Sequence, residues 1–202
     1  QWNASDAGYA AWNQFLKFET ELQTGRRDFA ADHDGFLAGQ VCFHIDGSFR
    51  LGTIAASAPD LNYGVVELPE HNGIQATFGS YWTHGITERA AADPARMDAA
   101  VKFLKFITSS EAGLLWVKIV GELPAQLDAA ADEALLTDAH LGAFVAGLPY
   151  ATATFFVNEA DDRQAIIDAY DAVILTGADP AAELDFAVEK VQAMYDAFWA
   201  NR

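Results

Sequence analysis

The stretch Gly35-Phe36-Leu37-Ala38-Gly39-Gln40-Val41-Cys42-Phe43-His44-Ile45-Asp46-Gly47-Ser48-Phe49 sets the reading of the whole chain. Its first residues close a short helix that starts near Asp32, because Gly39 is a helix stop. Val41 through Ile45 are rich in β-formers and read as a strand. Asp46-Gly47-Ser48 then ends that strand as a turn. Helix, strand and turn in this order begin an α/β pattern.

Downstream, Phe49, Leu51 and Ile54 predict a short helix, and Tyr63-Gly64-Val65-Val66-Glu67-Leu68 a second strand closed by Pro69. Asn72-Gly73 marks a turn. Upstream, Trp12, Phe15 and Leu16 begin a three-to-four spacing that runs to Leu22, an amphipathic helix stopped by Gly25. Asp93 before Pro94 predicts a capped helix with Met97, Val101, Leu104 and Ile107 on one face. Ser110 to Ile119 follows as a helix ended by Gly121, then a mixed stretch from Leu123 to Leu148. Thr152 to Phe156 is a further strand candidate. Ile166, Ile167, Tyr170, Val173 and Ile174 mark a helix stopped by Gly177. A second Asp-Pro start, Asp179-Pro180, opens a helix with Leu184, Val188, Val191, Tyr195 and Phe198 on one face. So few strand candidates cannot make a complete doubly wound sheet, and the chain reads as an incomplete α/β fold.

The chain has 202 residues with 51% hydrophobic and 12% aromatic content, enough for a packed core. Its 29 acids against 12 Lys plus Arg give a formal net charge of −17. A phosphate backbone would meet repulsion before contact, so nucleic acid is not an expected partner. Apolar runs are too short to cross a bilayer as a helix. Cys42 is the only cysteine, which removes intrachain disulfides and thiolate clusters. Its apolar neighbours Val41 and Phe43 predict a buried thiol.

No phosphate-binding glycine loop, nucleophile elbow or metalloprotease His pair is present. His44 and Asp46 lie two apart on a predicted strand and so share a face. They could begin a metal-assisted hydrolase site, or be a strand-end histidine beside a turn aspartate. Asp32-His33-Asp34 offers the same choice between ligand cluster and solvated helix face. Phe78-Gly79-Ser80-Tyr81-Trp82-Thr83-His84-Gly85 is more informative. Glycines bracket Tyr81 and Trp82 in a connection, and connections carry binding residues. A sugar ring needs flat aromatic surface beside hydrogen-bonding groups, which this segment supplies. Packing of the same rings into the core is the other reading.

Taken together, residues 35–49 resemble a stretch of the extracellular solute-binding proteins of ABC transporters, family 1, the maltose-binding-protein-like group. The resemblance continues in order. Asn62 to Pro69 is similar to the family's strand ending in Leu-Pro, and Phe78-Gly79-Ser80 to its glycine crossover. Ala99 to Gly121 with Leu123-Pro124-Ala125 resembles its helix pair and Gly-x-Leu-Pro-Ala loop. Asn158 to Gly177 and then Asp179-Pro180 resemble its closing helices.

The resemblance implies an α/β, periplasmic-binding-protein-like type II fold, helix-rich, with a partial chain contributing to both lobes. Residues 1–77 and 149–202 would belong to the second, C-terminal lobe and 78–148 to the first, with the preceding N-terminal segment absent. It implies a carbohydrate, as an oligosaccharide, held in the interlobe cleft by hinge closure and passed to an ABC permease, with no bond made or broken. No cofactor or metal is implied, and the location is extracytoplasmic, periplasmic or lipid-anchored.

Carried over by position, the ligand-binding residues are Phe49, Gly79, Ser80, Tyr81, Trp82 and Arg163. Phe49 stands where the family commonly has a sugar-stacking Trp, so a flat face is kept and the indole N–H is lost. Backbone N–H groups of Gly79 and Ser80 are candidate hydroxyl donors. Arg163, beside Asp162 and Gln164, either grips a ligand or forms an exposed ion pair with Asp162 or Glu159. An interaction module is a third reading. The helices from Asp93 to Gly121 would cover a sheet supplied from elsewhere, leaving Val101, Leu104 and Ile107 bare, so self-association is expected.

Overall fold

The computed structural model describes residues 2–24 and 32–201. Gly25, the expected stop of the first helix, and the side chain of Asp32 lie outside what is described. The elements run α1 (Asp6–Thr20), α2 (Asp32–Leu37), α3 (Arg50–Ser57), β1 (Thr77–Phe78), α4 (Glu88–Ala91), α5 (Pro94–Ile107), α6 (Ser110–Val120), α7 (Leu127–Ala130), α8 (Glu133–Leu136) and α9 (Gly142–Gly147). A 3₁₀ turn (Leu148–Tyr150), β2 (Ala151–Thr152), α10 (Glu159–Thr176) and α11 (Pro180–Ala200) complete the order. None of the described helices is long and apolar enough to cross a membrane.

Helix boundaries follow the sequence signals. The Asp93 carboxylate accepts from the Ala95 and Arg96 N–H groups ahead of α5, and Asp179 accepts from Ala182 N ahead of α11. Pro94 and Pro180 occupy first-turn positions, where their missing N–H removes no helical bond. Gly121 and Gly177 end α6 and α10 at φ of 81° and 72°, a left-handed conformation that costs other residues a Cβ clash.

The chain forms two compact units, Gln1–Phe29 with Phe155–Arg202, and Ala30–Thr154. In the first, α1, α10 and α11 share a core of Trp12, Leu16, Ala165, Ala169, Leu184, Ala187 and Val188. Alanines on α10 and α11 permit close helix approach. The Trp12 indole N–H donates to the Pro180 carbonyl at 2.8 Å, so the buried ring keeps its polar edge satisfied. Tyr9 OH and Asn3 Nδ2 both donate to Asp185. These bonds hold the Asp185 carboxyl below its ordinary pKa.

The second unit has a sparser interior, with Ile54, Val117, Ala129 and Val145 buried. Its described sheet is one parallel pair, Thr77 opposite Ala151 and Phe78 opposite Thr152. The expected strands 41–45 and 63–68 are not formed as strands: neither carries ladder hydrogen bonds to another described segment. Of the 152–156 candidate only Thr152 is in a strand. A strand, unlike a helix, cannot satisfy its own backbone and exists only beside a neighbour. Side-chain burial agrees. Phe43 is 86% exposed and Ile45 is also exposed, so the apolar side of 41–45 is the uncovered one. Cys42 is exposed as well, against the expectation of burial, because the sheet that would cover it is not formed. The Asn72-Gly73 turn is present, with φ of 53° and 77° inside the His71–Ile74 bridge.

On α5 the expected face is half covered: Val101, Leu104 and Ile107 are intermediate in burial. The bare rings are Phe103 and Phe106, joined on α6 by Leu115, Trp116 and Ile119. The helix is therefore turned so that its aromatics, rather than its aliphatic row, face solvent.

Candidate functional site

Asp46 organises the turn that the sequence placed at 46–48. Its Oδ1 accepts from Gly47 N at 2.7 Å and its Oδ2 from Arg50 Nε at 2.6 Å. His44 Nε2 lies 3.2 Å from the same Oδ2, with the His44 side chain buried. Burial works to raise the Asp46 pKa. The hydrogen bonds from Arg50 and Gly47, with the electrostatic pull of Arg50 and His44, outweigh it and hold the carboxyl below its usual value. The His44 ring sits between His33 and Phe36, with both ring centroids 5.5 Å away. Phe36 in turn meets Tyr63, which stacks on His140 at 4.7 Å.

His44 and Asp46 are thus brought together, as the metal-assisted hydrolase reading required. The Arg50 guanidinium pairs with the same Asp46 oxygen that His44 approaches, and no group of three potential ligands converges among the described residues. The Asp46–Arg50 ion pair spans the turn, with the His44 ring beside it.

Phe49 directly precedes α3 in helical conformation and is 52% exposed. Gly79 and Ser80 follow β1. Gly79 N donates to the Thr152 carbonyl at 2.9 Å, extending the β1–β2 ladder. Its amide is therefore not the hydroxyl donor expected from sequence. A Cβ added at Gly79 would lie 3.4 Å from the Ala151 Cβ, so the crossover runs in van der Waals contact with β2. From Ser80 the chain continues without regular structure to Thr87. Tyr81 is exposed and Trp82 is 89% exposed, so core packing of these rings does not occur within the unit.

Arg163 lies in the other unit, on the first turns of α10, where its Nη2 donates to Glu159 Oε1 at 2.6 Å. It takes the exposed ion-pair alternative, with Glu159 as partner. Its neighbour Asp162 is the residue the sequence did not disclose: it is 3% exposed and accepts from Tyr195 OH at 3.1 Å. Burial raises the Asp162 pKa, the nearby Asp161 adds to that, and the Tyr195 hydrogen bond opposes it. Arg50 was also missed. The spacing of Asp46 to Arg50, one helical turn across a turn–helix junction, was the available signal.

With this geometry in hand, known proteins supply the family. A profile described as bacterial extracellular solute-binding protein matches residues 3–143, more than half of the chain. The chain belongs to that family. No curated protein matches it in sequence. Among solved structures, this solute-binding protein is similar to the maltose-maltodextrin binding protein of the thermoacidophilic bacterium Alicyclobacillus acidocaldarius, with TM-score 0.69 and 17% identity over 93% of this chain and 51% of that one. It is also similar to a cyclo/maltodextrin-binding protein complexed with maltotetraose, with TM-score 0.75 and 22% identity over 94% of this chain and 48% of that one. At such identities the likeness establishes the fold, that of the type II periplasmic binding proteins. The solute-binding chain spans about half the length of these two neighbours.

Proposed function

We propose that this chain is part of the ligand-gripping body of a carbohydrate-specific solute-binding protein, with oligosaccharides as ligands and an ABC permease as the receiver. The observation that carries the proposal is the aromatic connection after β1, which presents Tyr81 and Trp82 to solvent beside Ser80 and Thr83. Large exposed rings next to short polar side chains match the alternating apolar faces and hydroxyl rims of a sugar. Phe49 offers a second such surface, and Gly79 keeps the aromatic connection against β2. Arg163 contributes only if its bond to Glu159 is exchanged for ligand. The maltotetraose bound to one structural neighbour supports the ligand class.

In this reading residues 1–77 and 149–202 serve the C-terminal lobe and 78–148 the N-terminal lobe, with ligand enclosed on closure and released unchanged. The work is extracytoplasmic, consistent with the extracellular description of the family.

Self-association through the bare faces is part of this reading, supported by Phe103 and Phe106 on α5 and Leu115, Trp116 and Ile119 on α6, exposed apolar side chains that a second copy of the chain would cover.

Titration calorimetry with maltotetraose, a panel of other oligosaccharides and a set of amino acids tests the ligand class. Sugar binding is expected, weakened about tenfold by Trp82→Ala, the order of one stacked aromatic surface. Silence toward every sugar together with tight binding of an amino acid would overturn it.

A further inference from the structure

Phe49 offers its ring from a turn with little else to hold it. The residue itself makes no side-chain cap to α3, and Ser48 and Phe49 form only the tight link into the helix, with Arg50 N donating to Gly47 O and Leu51 N to Ser48 O, each at 3.0 Å. An exposed phenyl ring in such a place would rotate freely, and ordering it on binding would cost side-chain freedom. Two features of the turn remove that freedom. A Cβ built on Gly47 would lie 2.4 Å from Phe49 Cε1 and 2.7 Å from Cδ1, so the ring occupies the space that any other residue at 47 would fill. The Arg50 guanidinium carbon lies 5.5 Å from the ring centroid, within cation–π reach. Arg50 is itself fixed, because Asp46 Oδ2 accepts from its Nε at 2.6 Å. The same carboxylate holds Gly47 through its N–H at 2.7 Å.

We infer that Asp46, Gly47 and Arg50 are positioning residues that hold the Phe49 ring in a pre-set orientation for ligand stacking. The inference rests on the proposed reading of Phe49 as a ligand contact. One carboxylate governs both supports of the ring: it fixes the glycine that the ring lies on and the cation that the ring faces. His44, 3.2 Å from that carboxylate and buried, backs the cluster from the interior side. Preorganisation of this kind improves affinity without adding a ligand contact.

The test has two arms on the full chain. In the first, 4-fluorophenylalanine is placed at position 49 and its fluorine resonance recorded without ligand. Asp46→Asn and Arg50→Gln are each expected to move or broaden that resonance, while the same label at Phe103 stays unchanged. Arg50→Lys, which keeps the charge and loses the Nε–H, should behave like Arg50→Gln. In the second arm, maltotetraose affinity is measured for Gly47→Ala, Phe49→Ala and the double variant. Gly47→Ala should weaken binding about five- to tenfold in the native background and less than about twofold when Phe49 is already alanine, the signature of coupled residues.

A resonance at position 49 indifferent to both Asp46→Asn and Arg50→Gln overturns the inference, as do fully additive losses in the affinity cycle. A resonance that responds while Phe49→Ala binds maltotetraose normally overturns the ligand role of Phe49 and supports the holding of the ring.

Discussion

Helices α10 and α11 in the first unit and the extended stretches 41–45 and 63–68 in the second differ in where their backbone hydrogen bonds go. The helices close theirs internally and need a partner only for one apolar face, which α1 and their own mutual contact provide through Trp12, Leu16, Leu184 and Val188. The extended stretches need a neighbouring strand before any backbone group is paired, and no described segment offers one. Segment 63–68 is tethered through side chains instead, Tyr63 stacking on His140 at 4.7 Å and Tyr150 OH donating to Glu67 Oε2 at 2.6 Å. That hydrogen bond, with burial and the Glu67 charge, raises the Tyr150 pKa. One chain thus holds a helical unit closed on itself and a second unit whose sheet is incomplete. Local structure forms wherever it is self-sufficient, and sheet forms only where its partner is present.

The largest contrast should appear in amide hydrogen exchange. Amides in the middle of α10 and α11 are expected to exchange slower than those of 41–45 by roughly three powers of ten or more. Equal protection in the two regions would break the comparison. Next, Leu184→Ala should cost about 3 kcal/mol in denaturant unfolding, because it truncates the largest fully buried side chain of the helical core. Phe103→Ser, on the bare face of α5, should cost less than about 0.5 kcal/mol.

Association sharpens the comparison from the other side. Light scattering is expected to show the chain above monomer mass, and Phe103→Ser with Phe106→Ser should lower that mass while leaving the helical signal unchanged. A monodisperse monomer would show that the exposed rings of α5 are tolerated singly and are not an interface.

The smallest expected effect concerns Asp162. Its folded-state pKa is raised, chiefly by burial, so the folded state binds this proton more tightly than the unfolded one. Stability from this group is complete below the unfolded pKa and declines as pH rises through the folded value. Asp162→Asn should therefore raise Tm modestly at pH 7 and make little difference at pH 3. A lower Tm at pH 7 would mean that the charged carboxylate is the form that α10 and α11 require.

Much of the helical organisation was legible because its signals are local. Asp93-Pro94, Asp179-Pro180, Gly121 and Gly177 each act within one turn of their position, and each acts as expected. The strands were legible only as propensity. Val41 to Ile45 has strand composition, but composition does not supply a partner, and Cys42 is exposed for the same reason. The candidate site divides in the same way. The exposure of Tyr81 and Trp82 agrees with their place between glycines in a connection. The Gly79 amide, by contrast, is engaged by Thr152, a residue more than seventy positions away whose approach no local pattern announces. Arg163 pairs with Glu159 at helical spacing, one of the two alternatives readable in advance.

By itself the sequence determined the starts of α5 and α11 and the ends of α6 and α10, the turn at Asp46, the excess of negative charge and, through ordered motifs, the family, while α4 and the short helices α7 to α9 were not read from it. These depend on interactions within a few residues or on the summed composition. Only the tertiary structure decided which amides were already engaged, that Arg50 faces Phe49, that Asp162 is buried, and that Phe103 and Phe106 rather than the aliphatic row of α5 lie bare. Those outcomes depend on which distant segments arrive beside each residue, and a side chain's burial and partners are properties of that arrival rather than of the side chain.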